Sequence, residues 1–114
     1  MSRSVWRRGD IVAMDFDPTL GVEQRGRRPA IVVTQEALNR LGMIGVCPIT
    51  QGGLGARHVG MAVSLTGAGM QTEGVALVHQ FRMIDPAPRQ IRLIERAPEH
   101  IAEEVRARVA ALLD

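Results

Sequence analysis

The 114-residue chain contains no lysine and no tyrosine, and its only aromatic side chains are Trp6, Phe16 and Phe81. So few rings argue against a surface on which nucleobases stack one after another. All fourteen basic residues are arginine, which the base composition of the gene explains as well as selection does. Arginine nevertheless offers a planar fork that matches phosphate oxygens. We therefore expect any bound nucleic acid to be contacted by arginine, amide and backbone groups.

Other absences exclude several classes of protein. No run of about 18 apolar residues could span a bilayer, and the N-terminus does not resemble a secretory signal, so we expect a cytoplasmic protein that does not bind membranes. The single Cys47 allows no internal disulfide, and its apolar surroundings favour a buried thiol. The three histidines lie far apart and form no zinc-site spacing, so no metal or other cofactor is expected. A phosphate-binding loop of the NTPase type is also missing.

Short apolar segments separated by turn-rich stretches predict a mainly β chain with some helix, of the α+β class. The predicted strands are residues 10–16, 29–34, 43–49, 61–65, 74–84 and 91–95. The first is read as half-buried, with Val12, Met14 and Phe16 on one face. The second is expected to begin at Pro29, and the fifth to lie centrally in the sheet.

Two helices complete the predicted fold. Residues 35–42 suggest a short helix closed by Gly42. From Pro98 onward, apolar side chains recur at helical spacing; they are Ile101, Val105, Val109 and Leu112. Because nothing divides the chain, we expect one domain, 1–114, in which the C-terminal helix packs on a strongly bent antiparallel sheet or small barrel.

Two segments carry candidate chemistry. The loop at 17–28 holds Glu23 and Arg28 among glycines, and RNA cleavage by the ribose 2′-hydroxyl needs a proton acceptor, a cation and an acid. Charged loops are, however, often merely solvated. The second segment ends a strand at Thr50 before two glycines, where a hydroxyl can meet a phosphate. Thr at a strand end is also ordinary.

In order along the chain, the motifs RGDIVxxDFDPTxGxEQxGxRPAIVVT (8–34), ALNRLG (37–42), PITQGG (48–53) and GVxLVxQxRMID (74–85) resemble those of the MazF/PemK toxins, most of all the ChpB branch. The resemblance implies a Kid/CcdB-like fold and a homodimer. It also implies a toxin that cuts single-stranded RNA at specific sequences, independently of ribosomes and metals, leaving 2′,3′-cyclic phosphate and 5′-hydroxyl ends. A MazE-like antitoxin would neutralise it.

Carried over by position, the family's catalytic residues fall on Glu23, Arg28 and Thr50. A guanidinium holds its proton strongly and is a poor base, so Glu23 is the better proton acceptor. The side chains that we expect to contact RNA are Thr19, Gln24, Arg27, Gln51, Arg57, His79, Gln80 and Arg82.

The chain also departs from its presumed relatives. In the PemK branch an Arg, an Asp and a His are proposed to act where this chain has Leu77, His79 and Val22. His79 is a candidate base, although a buried or structural histidine is the favoured interpretation. The loop at 53–60 differs too, which leaves the base specificity open.

Two other functions are compatible with this fold. A CcdB-like poison would bind DNA gyrase without chemistry and should carry a Trp-containing end on its last helix, but this chain ends RVAALLD. A plain nucleic-acid-binding module would show salt-sensitive binding without a product. Glu23, Arg28 and Thr50 together favour the ribonuclease.

Overall fold

The computed structural model of the chain describes residues 5–16, 26–51 and 60–114. Within them lie seven strands and two α-helices, in addition to 3₁₀ turns at Val78–Gln80 and Ala87–Arg89. In chain order the elements are β1 (Asp10–Asp15), β2 (Arg27–Val32), α1 (Glu36–Asn39), β3 (Ile44–Thr50), β4 (Ala62–Ser64), β5 (Val75–Leu77), β6 (Arg82–Ile84), β7 (Arg92–Arg96) and α2 (Glu99–Ala111). None of these helices is long and apolar enough to cross a membrane.

The strands form one antiparallel sheet in the order β4, β5, β3, β2, β1, β7, with β6 also paired to β3. Among the described residues no pairing joins β4 to β7, so the sheet is open. The predicted antiparallel sheet with a C-terminal helix is confirmed. β5 is flanked by β4 and β3 but lies next to the edge strand β4, and β6 pairs with β3 alone, so the central position predicted for strand 74–84 is not found among the described residues.

Alternation along the strands divides the core into two clusters, one on each face of the sheet. We call them the helix-side cluster and the far-side cluster. The helix-side cluster contains Ile11, Ile31, Cys47, Ile49 and Val78 together with Ile101 and Val105 of α2. The far-side cluster contains Val12, Met14, Phe16, Ala30, Val32, Val46 and Ile84. Val12, Met14 and Phe16 thus share a face as predicted, but β1 is covered on both faces rather than half-buried.

Several boundaries differ from the sequence prediction. β2 begins at Arg27, so Pro29 lies within the strand, opposite Ala13 of β1. The predicted strand 74–84 is split by the 3₁₀ turn at Val78–Gln80. Leu112 follows the end of α2 and is 40% exposed, so the apolar stripe of this helix stops at Val109.

The split of strand 74–84 follows from its pairing with β3. Ile49 pairs with Ala76 and Val46 with Arg82, so three steps along β3 face six steps along the opposing chain. The 3₁₀ turn at Val78–Gln80 accommodates the additional residues of the opposing chain. It also sets the Phe81 ring over Gly45, where a Cβ atom would come within 2.6 Å of the ring. Only glycine fits there.

Cys47 is fully buried, as predicted, and burial raises the pKa of its thiol to about 12. We expect the folded protein to resist thiol-specific reagents at mildly alkaline pH, because the reactive species is the thiolate. Labelling followed by mass spectrometry should show rapid modification only after denaturation. An Ala110→Cys variant, which places a thiol on the exposed end of α2, should label at once in the folded state. Rapid labelling of the folded parent would contradict the burial.

Candidate active site

Four strand ends meet at one rim of the sheet: the end of β1, the start of β2, the end of β3 and the start of β5. The register pairs Met14 with Arg28, Ala30 with Pro48, and Thr50 with Val75. Continuing the β2–β3 register by two residues sets Arg28 opposite Thr50. Directly opposed residues share a face and have Cβ atoms about 5 Å apart. The two predicted catalytic residues that the structure describes therefore lie side by side.

The face that Arg28 and Thr50 share is that of the far-side cluster, since Ala30 belongs to this cluster and side chains alternate. Both residues are partly exposed, as a site open to substrate requires. Arg82 lies on the same face, with its guanidinium 5.9 Å from the centre of the buried Phe16 ring. A cation over the face of an aromatic ring is attracted by the electrons of the ring. This face of the sheet thus carries two guanidinium groups and a hydroxyl.

Arg27 is placed differently. It neighbours Arg28 in β2, so alternation directs it to the opposite face. Its Nη2 donates to the carbonyl oxygens of Gln90, at 2.8 Å, and Ala13, at 3.5 Å. Arg27 thus connects β2 to β1 and to the segment that precedes β7.

His79 and Gln80 lie in the 3₁₀ turn between β5 and β6. His79 is exposed, which excludes a buried histidine at this position. The turn ends before Phe81, whose N–H donates to the Val78 carbonyl oxygen at 3.1 Å. Gln80 is partly exposed.

The remaining predicted site residues form two groups, one inside the described part of the chain and one outside it. Gln51 is exposed at the end of β3 and lines an open pocket of about 320 Å³, whose other wall is the connection between β4 and β5. Four residues fall outside the described ranges: Thr19, Glu23, Gln24 and Arg57. Their roles remain predictions.

Two residues that the sequence analysis did not single out contact this rim or the segment beside it. Gly74 has a φ of +113°, and a Cβ atom there would meet the carbonyl group of Thr50, 2.9 Å from its carbon. The second residue is Glu95 of β7, whose carboxylate accepts hydrogen bonds from Gln71 N–H (3.1 Å), Thr72 N–H (2.7 Å) and the Thr72 hydroxyl (2.6 Å). Gly74 lies in a motif that the sequence analysis noted, whereas no feature of the sequence pointed to Glu95.

Burial raises the pKa of Glu95, but the hydrogen bonds from Thr72 and Gln71 outweigh it and hold the pKa below its usual value. A carboxyl whose pKa is lowered on folding stabilises the fold above its unfolded pKa, and this contribution is lost as pH falls through the folded value. We therefore expect the thermal midpoints of the parent and Glu95→Gln to differ most near neutral pH and to converge in acid. A constant difference across this range would contradict the assignment.

The described residues contain no group of three or more His, Cys, Asp or Glu side chains arranged to hold a metal ion. What the rim does offer is positive charge and hydrogen-bond donors at one edge of the sheet. Such groups can bind a phosphodiester and stabilise the additional negative charge of a phosphorane. The fold and the site together define a small β protein suited to handling phosphodiesters.

Comparison with known proteins identifies the family. Residues 7–113 match the family of PemK-like, MazF-like toxins of type II toxin–antitoxin systems. The endoribonuclease toxin ChpB of Escherichia coli K12 is 43% identical over all of this chain and 99% of its own length. Endoribonuclease PemK of E. coli is 44% identical over 97% of this chain and 84% of its own. The chain belongs to the PemK-like, MazF-like toxin family, which confirms the resemblance drawn from the motifs.

Solved structures agree with this assignment. The crystal structure of MazF from Deinococcus radiodurans is 33% identical and covers 97% of this chain and 98% of its own, with a TM-score of 0.85. A MazE–MazF structure from the same organism is 32% identical and covers 97% of each chain, with a TM-score of 0.79. The predicted MazF-like fold is confirmed.

Proposed function

We propose that this toxin is an endoribonuclease that cuts single-stranded RNA at specific sequences, without a ribosome, a metal ion or another cofactor. The ribose 2′-hydroxyl attacks the adjacent phosphorus and the bond to the 5′-oxygen breaks, giving a 2′,3′-cyclic phosphate and a 5′-hydroxyl. The observation that carries the proposal is the β2–β3 register, which, continued by two residues, sets Arg28 opposite Thr50 on one face of the rim. The endoribonuclease names of the relatives ChpB and PemK support it.

Each group has a role that its chemistry allows. The Arg28 guanidinium stabilises the charge of the phosphorane and donates a hydrogen bond to the leaving 5′-oxygen, which takes its proton from water. The Thr50 hydroxyl donates to a phosphate oxygen and fixes the scissile bond. Glu23, whose carboxylate is the better proton acceptor, takes the proton of the 2′-hydroxyl. Arg82 holds a neighbouring phosphate from its position over Phe16.

Base selection falls to the polar side chains around this centre. Gln51 and Gln80 offer amides that both donate and accept hydrogen bonds, which suits the edges of unpaired bases. His79 is exposed next to Gln80 and can stack on a base or bind a phosphate. Thr19, Gln24 and Arg57 complete the proposed contacts, whereas Arg27 lies on the opposite face and is left out of them.

The toxin would act in the cytoplasm as a homodimer and be held inactive by a MazE-like antitoxin. MazF of D. radiodurans, 32% identical to this chain, was crystallised with MazE. An arginine-rich rim attracts an acidic segment electrostatically, and such a segment would compete with RNA for the same charges.

The test is to incubate the folded, antitoxin-free protein with a long unstructured RNA in excess EDTA and to map the product ends. We expect discrete fragments with 2′,3′-cyclic phosphate ends. Cleavage that stops in EDTA would exclude the metal-free mechanism. Intact RNA would exclude the ribonuclease, and inhibition of DNA gyrase by the same preparation would then establish the non-enzymatic alternative.

A further inference from the structure

Glu95 connects parts of the sheet that lie far apart in strand order. It belongs to β7, at one end of the sheet, whereas β4 and β5 lie towards the other end. Its carboxylate nevertheless binds the connection between β4 and β5, through the N–H groups of Gln71 and Thr72 and the Thr72 hydroxyl. Hydrogen bonds to an ionised acceptor are roughly twice as strong as neutral ones. This carboxylate therefore fixes the backbone of residues 71 and 72.

A short path leads from that fixed backbone to the active-site rim. Two residues after Thr72, Gly74 packs against the carbonyl group of Thr50 with no space for a Cβ atom. Gly74 also accepts a hydrogen bond from Leu65 N–H at 3.0 Å, which closes the base of the connection. Val75, the next residue, pairs with Thr50. The end of β3 is thus supported by a segment that Glu95 holds in place.

The same connection forms a wall of the pocket beside Thr50. Thr72 and Gly74 line it from one side and Gln51 from the other. Any shift of residues 71–74 would therefore change both the support of the Thr50 backbone and the space next to it.

We propose that Glu95 is a positioning residue for RNA cleavage, acting through residues 71–74 to hold Thr50 in its productive place. Glu95 itself does not touch the RNA. This inference rests on the proposed ribonuclease function and deepens it, because it adds a residue on the far edge strand to the support of the catalytic rim.

The test is a double-mutant cycle between Glu95→Gln and Thr50→Ala. Small displacements of catalytic groups can slow a reaction by up to about 100-fold, so we expect Glu95→Gln to lower kcat about 10- to 100-fold and to change KM much less. In the Thr50→Ala background the same substitution should lower kcat little further. Glu103→Gln, which alters an exposed carboxylate paired with Arg106 on α2, is the matched control and should cleave like the parent.

Amide hydrogen exchange followed by NMR gives a second readout that needs no activity. We expect Glu95→Gln to speed exchange at residues 71–75 and at Thr50 relative to the Glu103→Gln control. If Glu95→Gln does not fold, Thr72→Val replaces it, since this change removes one hydroxyl donor and keeps both backbone bonds. It should give a smaller effect with the same pattern.

The outcomes separate the inference from the proposed function. Full activity in Glu95→Gln, or additive losses in the double variant, would overturn the positioning role while the ribonuclease stands. A parent that leaves RNA intact would refute the ribonuclease instead. In that case unchanged exchange at Thr50 would also overturn the structural link from Glu95, and faster exchange would sustain it.

Discussion

Replacing Arg28 with alanine is expected to slow RNA cleavage about 100- to 1,000-fold, the usual cost of losing one preorganised donor at a developing negative charge. Arg28 sits at the start of β2 beside Thr50, where its guanidinium faces the proposed phosphorane. RNA binding should weaken far less, because other arginines still contact phosphates. Single-turnover cleavage of a short RNA containing one mapped site measures the first effect, and fluorescence anisotropy measures the second.

Two variants sharpen this prediction. Arg28→Lys keeps the positive charge but removes the planar fork that binds two phosphate oxygens, so we expect it to recover only part of the rate. Arg92→Ala removes an exposed arginine from β7 and should cleave like the parent. If Arg28→Ala cuts RNA as fast as the parent, the site assignment is wrong, although the family membership is unaffected.

The elements that the sequence predicted well are those whose patterns are local. Period-two alternation located β1, and the apolar stripe with Pro98 at its start located α2. The break in strand 74–84 was not predicted, because its cause is the pairing of two different stretches with β3. The apolar sequence around Val78 satisfies a strand and a buried turn equally well. The burial of β1 on both of its faces was not predicted either, because it depends on segments that are distant in the sequence.

The candidate site shows the same division. Arg28 and Thr50 were singled out by their motifs, but their adjacency depends on the β2–β3 register, which no local pattern fixes. Glu95 could not be found in this way. In the sequence it is an ordinary charged residue of a short strand, and its importance comes from Thr72, 23 positions earlier in the chain.

Asp10 is a second acidic residue whose carboxylate joins separate parts of the chain. Its side chain is fully buried, and its carboxylate accepts hydrogen bonds from Arg96 Nη1 at 3.0 Å and from the Arg7 N–H at 2.9 Å. Asp10 also pairs with Arg96 in the β1–β7 ladder, next to the hydrogen bond from Ala97 N–H to the Gly9 carbonyl oxygen. This carboxylate therefore joins the entry of β1 to the end of β7, just before α2.

Removing this carboxylate is expected to have the largest effect on stability. Asp10→Ala leaves the Arg7 N–H without its acceptor and the Arg96 guanidinium without its buried partner. Leaving such groups unsatisfied costs about 2–4 kcal/mol, with Arg96 toward the lower end because it is 52% exposed. At about 4–5 °C per kcal/mol for a domain slightly larger than 100 residues, the thermal midpoint should fall by about 8–20 °C. Calorimetry and denaturant titration would measure both quantities.

The control for this prediction is Glu36→Ala. Glu36 also contacts two arginines, Arg7 and Arg40, at 3.1 and 2.7 Å, but all three side chains are at least 38% exposed. Exposed ion pairs contribute about 1 kcal/mol or less. Equal shifts in the two variants would mean that burial of Asp10 adds nothing to its pairing. A large shift in Asp10→Ala alone would show that the junction of β1, β7 and α2 depends on one satisfied buried charge.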